Sequence, residues 1–463
     1  NLVQLLQPFL STKILAQVDS KLEVAGLVTD NRDVKPGDCF VALVGITHHG
    51  KQFIDDAITQ GASAVLLEDK NSALELRESS MENNNQSKSI PIIVLPDLKE
   101  QLNSLLINFY QASSSAFAMR LLGVTGTNGK SSITRFVAQM SAALNQPAGL
   151  MGTLGFGVWP NIVESKNTTP ELAVLLRQFA SMQKCGAELV AMEVSSHGIE
   201  QKRIEGLTFD SAVFANLSQD HLDYHGDMES YFSIKRELFL GADLKYAIIN
   251  ADDEYGQRLL VDDEIKAQKI SYGFSSHADV RVVNWQMNPT SIDAEISTPW
   301  GDASFSIDMV GDFNLANVLA AISLLAVEDQ FTFQQVISSI QHITPAPGRM
   351  QAYNKQGSVP VVVDFAHTPD ALKNVLETLS KQVKGCLAVV FGCGGNRDTD
   401  KRPLMASVAQ QLADVVCFTA DNPRHENLDG IIKDMQSGIL ATSKTSVQIE
   451  KDRSKAIIQT IDT

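Results

Sequence analysis

The stretch "GVTGTNGKSS", residues 123–132, decides how the chain is read. It ends in Gly-Lys-Ser, as phosphate-binding loops do. It is shorter than the usual form, which puts four residues between the first Gly and the Gly-Lys. Before it, "MRLLGVTG" (119–126) reads as a buried strand. After it, "SSITRFVAQMSAAL" (131–144) places Ile133, Phe136, Val137, Met140 and Leu144 on one helical face. Strand, glycine loop and helix together let the loop N–H groups and the helix N-terminus face one anion. On that reading the N–H groups from Gly126 through Thr127, Asn128 and Gly129 to Lys130 wrap a phosphate. Lys130 neutralises its outer oxygens, and Ser131 holds Mg²⁺. The competing reading is a glycine turn that merely precedes a lysine, and the flanking strand and helix count against it.

Working outward, 463 residues leave room for several domains. A composition of 44% hydrophobic and 20% charged residues is that of a folded chain with a core. With 38 Lys plus Arg against 54 Asp plus Glu, the net charge of -16 argues against a broad nucleic-acid surface. A local loop of backbone N–H groups can still bind phosphate. Cys39, Cys185, Cys386, Cys393 and Cys417 form no C-x-x-C pair, which suggests a reducing compartment. No apolar run reaches membrane-spanning length, and no signal peptide is visible. The chain starts at Asn1 without Met and stops inside the helical pattern "IIQTIDT", so both termini are expected to be trimmed.

Apolar β-branched runs alternate with helical patterns, which favours an α/β fold. We expect three domains, at 1–98, 99–346 and 347–463. In the first, "GLVTDNRDVKPGDCFVAL" reads as strand, turn, strand; "ASAVLLE" and "IPIIVLP" read as strands, and the polar run "SSMENNNQSKS" (79–89) as an exposed loop. The helix "LKEQLNSLLINFY" leads into a central parallel-sheet domain of the phosphate-loop ATPase type, with further strands in "AELVAMEVS", "SAVFANLS" and "KYAIINA". The Pro- and Gly-rich "HITPAPGRM" marks the second boundary. Beyond it "VPVVVDFAH", "CLAVVFGCGG", "ADVVCFTAD" and "TSVQIE" are four strand candidates of a small doubly wound, Rossmann-like domain.

Several polar clusters stand at strand ends, where open α/β sheets place ligands. Glu193 in "AMEVSSHG" could be simply solvated, but Ser195, Ser196 and His197 follow at once. "NLSQDHLDYHG" carries Asp220, His221, Asp223 and His225; it is either a turn with a capping Asp and exposed His, or a Mg²⁺ site with His221 as a nitrogen ligand. Zinc fits poorly, because the spacing matches no familiar pattern and Cys ligands are absent. Asn314 and Asn317 in "GDFNLANVLAA" share a helical face, either as a helix cap or to read a base edge. Asp364 and His367 in "VVVDFAHTPD" alone leave the choice open.

These motifs, with "NTTP", "GRM" and "FGCGGNRD", occur in an order that resembles the Mur ligases, the ATP-dependent amide ligases of peptidoglycan precursor synthesis. The resemblance runs from about Asp30 to Arg424. "DNPRHEN" (421–427) is similar to the specificity motif of members that add meso-2,6-diaminopimelate to UDP-N-acetylmuramoyl-L-alanyl-D-glutamate; lysine-adding members differ there. The resemblance implies that Thr29, Asn31 and the segment Ile46, Thr47, His48 hold the UDP end in the first domain. Asn167, Thr168, Thr169, Ser195, Gln201 and Arg203 would hold the muramoyl-dipeptide. Glu193, His221 and a carbamylated Lys235 would bind Mg²⁺ with Ser131, while Ser131 and Ser132 replace a usual Thr pair. Asn314 and Asn317 would meet adenine, and Arg349, Asp364 and His367 the rest of ATP. Arg397 with Asp421, Asn422, Pro423 and Arg424 would bind the incoming amino acid. A monomeric bacterial cytoplasmic enzyme is implied. A C-terminal "GKGHE"-like segment of the family is absent, which bears on how complete the amino-acid site is. The rivals are a lysine-adding or other Mur ligase, a folylpolyglutamate synthetase-like ligase, which shares the core, and an ATP-binding switch with no ligase activity.

Overall fold

The structure is a computed structural model that describes residues 2–45, 49–70, 73–80, 87–110, 119–165, 167–288, 291–327, 330–353, 359–383, 385–440 and 445–462. The chain divides into two compact units. One comprises Asn1–Arg120, Thr169–Glu188 and Gln201–Thr208; the other comprises Leu121–Thr168, Leu189–Glu200 and Phe209–Thr463.

In the first unit the apolar runs expected as strands form one sheet. Leu27–Val28, Cys39–Ala42, Ala64–Glu68 and Ser87–Leu95 lie parallel in that order, and Ala73–Ser80 closes the sheet antiparallel. Phe40, Val65, Leu67, Ile92 and Val94 form its core. Parallel strands covered on both faces read as unbroken apolar runs, which is why these were legible. The expected loop at 79–89 needs correcting, because Ser80 pairs with Ser87, Ser79 with Lys88 and Glu78 with Ser89 across a hairpin. Residues 81–86 lie outside the described residues. The helix Leu98–Tyr110 places the Tyr110 hydroxyl to accept from the Leu27 N–H at 3.3 Å. The helix Leu172–Lys184 belongs to this unit too, and its Arg177 pairs with the buried Asp38 at 2.9 Å.

Among the described residues, the second unit holds a ten-stranded sheet. Its strands run in the order Gly301–Ile307, Ile292–Thr298, Val280–Met287, Gln268–Gly273, Tyr246–Asn250, Ser211–Phe214, Arg120–Thr125, Leu189–Glu193, Ala148–Gly152, Gly155–Val158. From Val280–Met287 to Arg120–Thr125 neighbours are parallel, and the two outer strands beyond Val280–Met287 are antiparallel. The helices Lys130–Ala143 and Asp312–Ala326 pack on it through Ile133, Phe136, Val137, Met140, Leu315, Val318 and Ile322, all fully buried. Leu144, expected on that face, caps the helix and is only partly buried.

The C-terminal part has a parallel sheet of Ala388–Phe391, Val415–Phe418 and Ser446–Ile449, wrapped by Pro369–Ser380, Lys401–Leu412, Leu428–Gln436 and Arg453–Asp462. "VPVVVDFAH" does not join it. Its strand, Val361–Val363, pairs antiparallel with Gln351–Tyr353, and none of its three valines is buried. Among the described residues no helix is long and apolar enough to cross a membrane. The α/β reading holds.

Candidate active site

The short glycine loop is held open by the neighbouring strand's end. Asn216, just past Ser211–Phe214, accepts from the Asn128 N–H at 2.8 Å through Oδ1 and from the Thr127 N–H at 3.0 Å through its carbonyl. The Thr127 hydroxyl donates to the Ser218 carbonyl at 3.1 Å and accepts from the Ser218 N–H at 3.0 Å. Gly129, the N-cap of the helix that follows, sits at φ +87°, and a Cβ there would stand 2.5 Å from Asn317 Oδ1. Only glycine meets both conditions. Asn317 therefore lies against the loop itself. Asn314, a turn earlier, donates from Nδ2 to the Val310 carbonyl at 2.8 Å.

Lys130 folds back on its own loop, donating to the carbonyls of Gly126 at 2.8 Å and Thr127 at 2.9 Å. Burial lowers its pKa, partly offset by the charges of Glu193 and Asp220, while Arg349 adds to the lowering. Glu193 is buried at its strand end, where it accepts from Ser131 Oγ at 2.9 Å, the Thr153 N–H at 2.8 Å and Thr153 Oγ1 at 3.1 Å. Gly152 has no room for a Cβ, because the Glu193 carboxylate occupies that space. Thr153 also hydrogen-bonds Thr168 at 2.9 Å. Lys235 is 1% exposed and donates to the same Gly126 carbonyl at 3.1 Å and to Thr125 Oγ1 at 3.4 Å. Burial first, and Lys130 second, push its pKa well below the usual value, toward a neutral amine.

Asp220, not Asp223, is the buried carboxylate of "NLSQDHLDYHG". It meets Lys401 at 2.9 Å, His367 at 3.3 Å and His221 at 3.5 Å. The hydrogen bond from His367 and the nearby charge of Lys401 hold its carboxyl far below the usual range despite burial. His221 is pushed down to about 3, chiefly by burial, so its imidazole is neutral near pH 7. His225 is buried rather than exposed, stacked on Tyr231 at 4.9 Å with Nε2 on Ser196 Oγ at 2.8 Å. Opposite the loop, Asn128 Nδ2 donates to Asp370 at 3.3 Å. Asp364 accepts the N–H groups of Met350 at 2.7 Å and Ala366 at 2.8 Å, and Arg349 lies over the Phe365 ring at 4.6 Å. Loop, Glu193, Asp220, Arg349, Asp364 and His367 are thus brought together.

Of the residues expected on the UDP-linked substrate, Thr29 reaches Glu171 at 3.4 Å, and Asn31 opens a short 3₁₀ turn. Arg203 donates to the Thr169 carbonyl at 2.7 Å and to Gln201 Oε1 at 2.6 Å. These five belong to the first unit, whereas Asn167, Thr168 and Ser195 belong to the second. Ile46, Thr47 and His48 lie outside the described residues.

The amino-acid motifs form one constellation at two neighbouring strand ends. Gly395 N–H donates to the Asn422 carbonyl at 2.9 Å, His425 N–H to Asn396 Oδ1 at 3.1 Å, and Arg424 Nη1 to the Gly395 carbonyl at 2.6 Å. A Cβ on Gly394 would stand 3.0 Å from Arg424 Nη1 and 3.7 Å from Arg397 Cγ, so both arginines pass over one residue. Both are exposed. Sequence reasoning missed Asn216, Thr153, Asp370, Lys401, Arg402 and Glu426. The clue for the first was its place just past a strand in "FANLSQD"; the charges in "DTDKRP" carried no signal that three of them, Asp398, Lys401 and Arg402, are buried.

Among the described residues no group of three His, Cys, Asp or Glu side chains converges as a metal cage. Mg²⁺ does not need one, since it keeps waters and substrate phosphates as ligands. The Glu193 carboxylate paired to the Ser131 hydroxyl at a helix N-terminus supplies hard oxygen donors that fit it.

Residues 23–110 match the description "Mur ligase family, catalytic domain", residues 124–325 "Mur ligase middle domain", and residues 348–462 "Mur ligase, glutamate ligase domain". A Coxiella burnetii protein named UDP-N-acetylmuramoyl-L-alanyl-D-glutamate--2,6-diaminopimelate ligase is 38% identical over 439 residues, 94% of this chain and 87% of the relative. A Neisseria meningitidis serogroup B protein of the same name is 40% identical over 439 residues, 93% and 85% of the two chains. A solved structure carrying that name superposes with a TM-score of 0.61 at 31% identity, covering 97% of this chain and 90% of the other. A Mycobacterium tuberculosis folylpolyglutamate synthase, at 17% identity and TM-score 0.63, covers only 78% of this chain and shares the fold alone. Phosphate loop, buried strand-end carboxylate and three matched domains in sequence lead to one conclusion: the chain belongs to the Mur ligase family of ATP-dependent amide ligases.

Proposed function

We propose that this chain uses ATP to join meso-2,6-diaminopimelate to the D-glutamate of UDP-N-acetylmuramoyl-L-alanyl-D-glutamate through an acyl phosphate, as a monomer in the bacterial cytoplasm, for peptidoglycan synthesis. The observation that carries the amino-acid assignment is the arginine pair over Gly394, in a chain about 40% identical to relatives named for that reaction. A second carboxylate distinguishes diaminopimelate from lysine, and guanidinium forks suit a carboxylate.

Making an amide in water needs an activated acyl group. The D-glutamate carboxylate and the γ-phosphate repel, and Lys130 supplies positive charge between them as the phosphoryl group moves. The loop N–H groups and the helix N-terminus hold the remaining phosphates. Glu193, Ser131, His221 and Lys235 as a carbamate would hold Mg²⁺. When bound, it would screen charge on the phosphates. Burial lowers the Lys235 pKa, which favours the neutral amine that takes up CO₂, and carbamylation would make it a hard oxygen donor. Asn314, Asn317, Arg349, Asp364 and His367 bind the nucleoside end and phosphates of ATP. Thr29, Asn31, Ile46, Thr47, His48, Asn167, Thr168, Thr169, Ser195, Gln201 and Arg203 bind the UDP-linked dipeptide. Arg397, Asp421, Asn422, Pro423 and Arg424 receive the amino acid, whose amine displaces phosphate.

The test is phosphate release across a panel of amino acids. Release should need the UDP-linked dipeptide and an amino acid together, with meso-diaminopimelate used best. Release from ATP alone, or best use of another amino acid, would overturn the assignment.

A further inference from the structure

Beneath the two arginine-bearing loops lies a charged cluster that no role above uses. Arg402, in the first turn of Lys401–Leu412, is fully buried. Its Nη1 donates to Glu426 Oε1 at 2.6 Å and to Asp434 at 2.7 Å; its Nη2 donates to Glu426 Oε2 at 2.7 Å and to the Gly394 carbonyl at 3.2 Å. Glu426 passes the connection on, since its Oε2 also accepts the Asn396 N–H at 2.8 Å. One guanidinium therefore grips the loop after Ala388–Phe391 at Gly394 and, through Glu426, at Asn396. The same guanidinium grips the loop after Val415–Phe418 at Glu426. Arg397 and Arg424 stand on these two loops.

A buried cation must be paired, and burying one is costly unless the geometry is good. An apolar residue could fill this space at less cost. A bidentate fork offers what an apolar residue cannot, a fixed distance between two loops. We propose that Arg402 and Glu426 are positioning residues for amino-acid selectivity: they set the spacing of Arg397 and Arg424, and so which amino acid the arginine pair accepts. This rests on the reading above that those two arginines receive the amino acid. Neither Arg402 nor Glu426 touches substrate in this scheme.

The experiment measures KM for ATP, for the UDP-linked dipeptide and for the amino acid in unmutated enzyme, Glu426→Gln, Arg402→Lys and Arg402→Met. Groups that orient others typically cost about ten- to a hundredfold when lost. Glu426→Gln should raise the amino-acid KM by about tenfold. It should also narrow the preference for diaminopimelate over lysine and leave the other two KM values within about twofold of unmutated enzyme. Arg402→Lys should retain more selectivity than Arg402→Met. Should Arg402→Met fail to fold, Glu426→Gln, which keeps the side chain's shape, still decides. A fall in kcat with all three KM values and the amino-acid preference unchanged would mean a merely structural role and overturn the proposal. If unmutated enzyme prefers a different amino acid, the diaminopimelate assignment fails separately, and the same KM split is then read with the amino acid it does use.

Discussion

Removing the Arg424 side chain tests the amino-acid assignment at one atom group. In Arg424→Ala the guanidinium goes, and with it the bond to the Gly395 carbonyl at 2.6 Å. That bond uses one N–H of five, so the rest of the fork is available to a carboxylate. Truncating one partner of a buried charge pair costs about 2–5 kcal/mol. Arg424 is exposed, and Arg397 over the same glycine keeps one positive charge in place. The lower end is therefore expected, about 2 kcal/mol, or roughly thirtyfold in kcat/KM for diaminopimelate. The backbone should be indifferent. Arg424 sits at φ 50°, where alanine is no better placed than arginine, so the strain is unchanged. The measurement compares kcat/KM for meso-diaminopimelate and L-lysine in unmutated enzyme, Arg424→Ala and Arg424→Lys, with KM for ATP as the internal control. Lysine should be a poor substrate of the unmutated enzyme, because it leaves the fork unpaired. Arg424→Lys should fall between the other two, keeping charge and losing the fork. Equal use of both amino acids by unmutated enzyme, or an unchanged kcat/KM in Arg424→Ala, would refute the reasoning.

Three further outcomes are expected. Lys130→Ala should lower turnover by about a hundredfold or more, because its charge acts on the moving phosphoryl group. Since its Nζ donates to carbonyls of its own loop, the unfolding midpoint should barely move, and a normal rate of amide formation would remove the loop from the mechanism. Lys401→Met should be destabilising: breaking a buried pair from one side costs about 3–5 kcal/mol. His367 still faces Asp220 at 3.3 Å, so the loss read from denaturant unfolding should sit at or below the low end of that range. Glu426 is held down to about 2 from 4.5, chiefly by the Arg402 hydrogen bonds, with the Asn396 N–H adding to them. A depressed carboxyl stabilises the fold above its unfolded value, and that contribution is lost as pH falls through the folded one. Thermal midpoints taken between about 4.5 and about 2 should therefore drop less steeply in Glu426→Gln than in unmutated protein, and parallel curves would count against the clamp.

What was legible follows from which physical signal a residue leaves in the chain. The loop at 123–132 was readable because burial writes itself as apolar runs, and "RLLGVT" and the helix after the loop are buried on the faces their spacing implies. The antiparallel edge also leaves a mark in the sequence. "IDAEIST" alternates buried and exposed positions as a half-solvated strand should, but its polar half hid it among turns. The charged residues are a different case. In "NRDTDKRP" two arginines stand five positions apart; Arg397 is exposed, and Arg402 is wholly buried. Nothing in the letters separates them, because an arginine's burial depends on acids supplied from elsewhere, here Glu426 and Asp434 beyond the next strand. Those acids reach Arg402 only because Ala388–Phe391 and Val415–Phe418 lie side by side and parallel, which brings the loops at their C-terminal ends together. Asp220 and Lys401 repeat the pattern across 181 positions of sequence. A motif can show which cations meet the substrate. The cation that holds them apart depends on strand order, and it becomes identifiable only once the sheet is assembled.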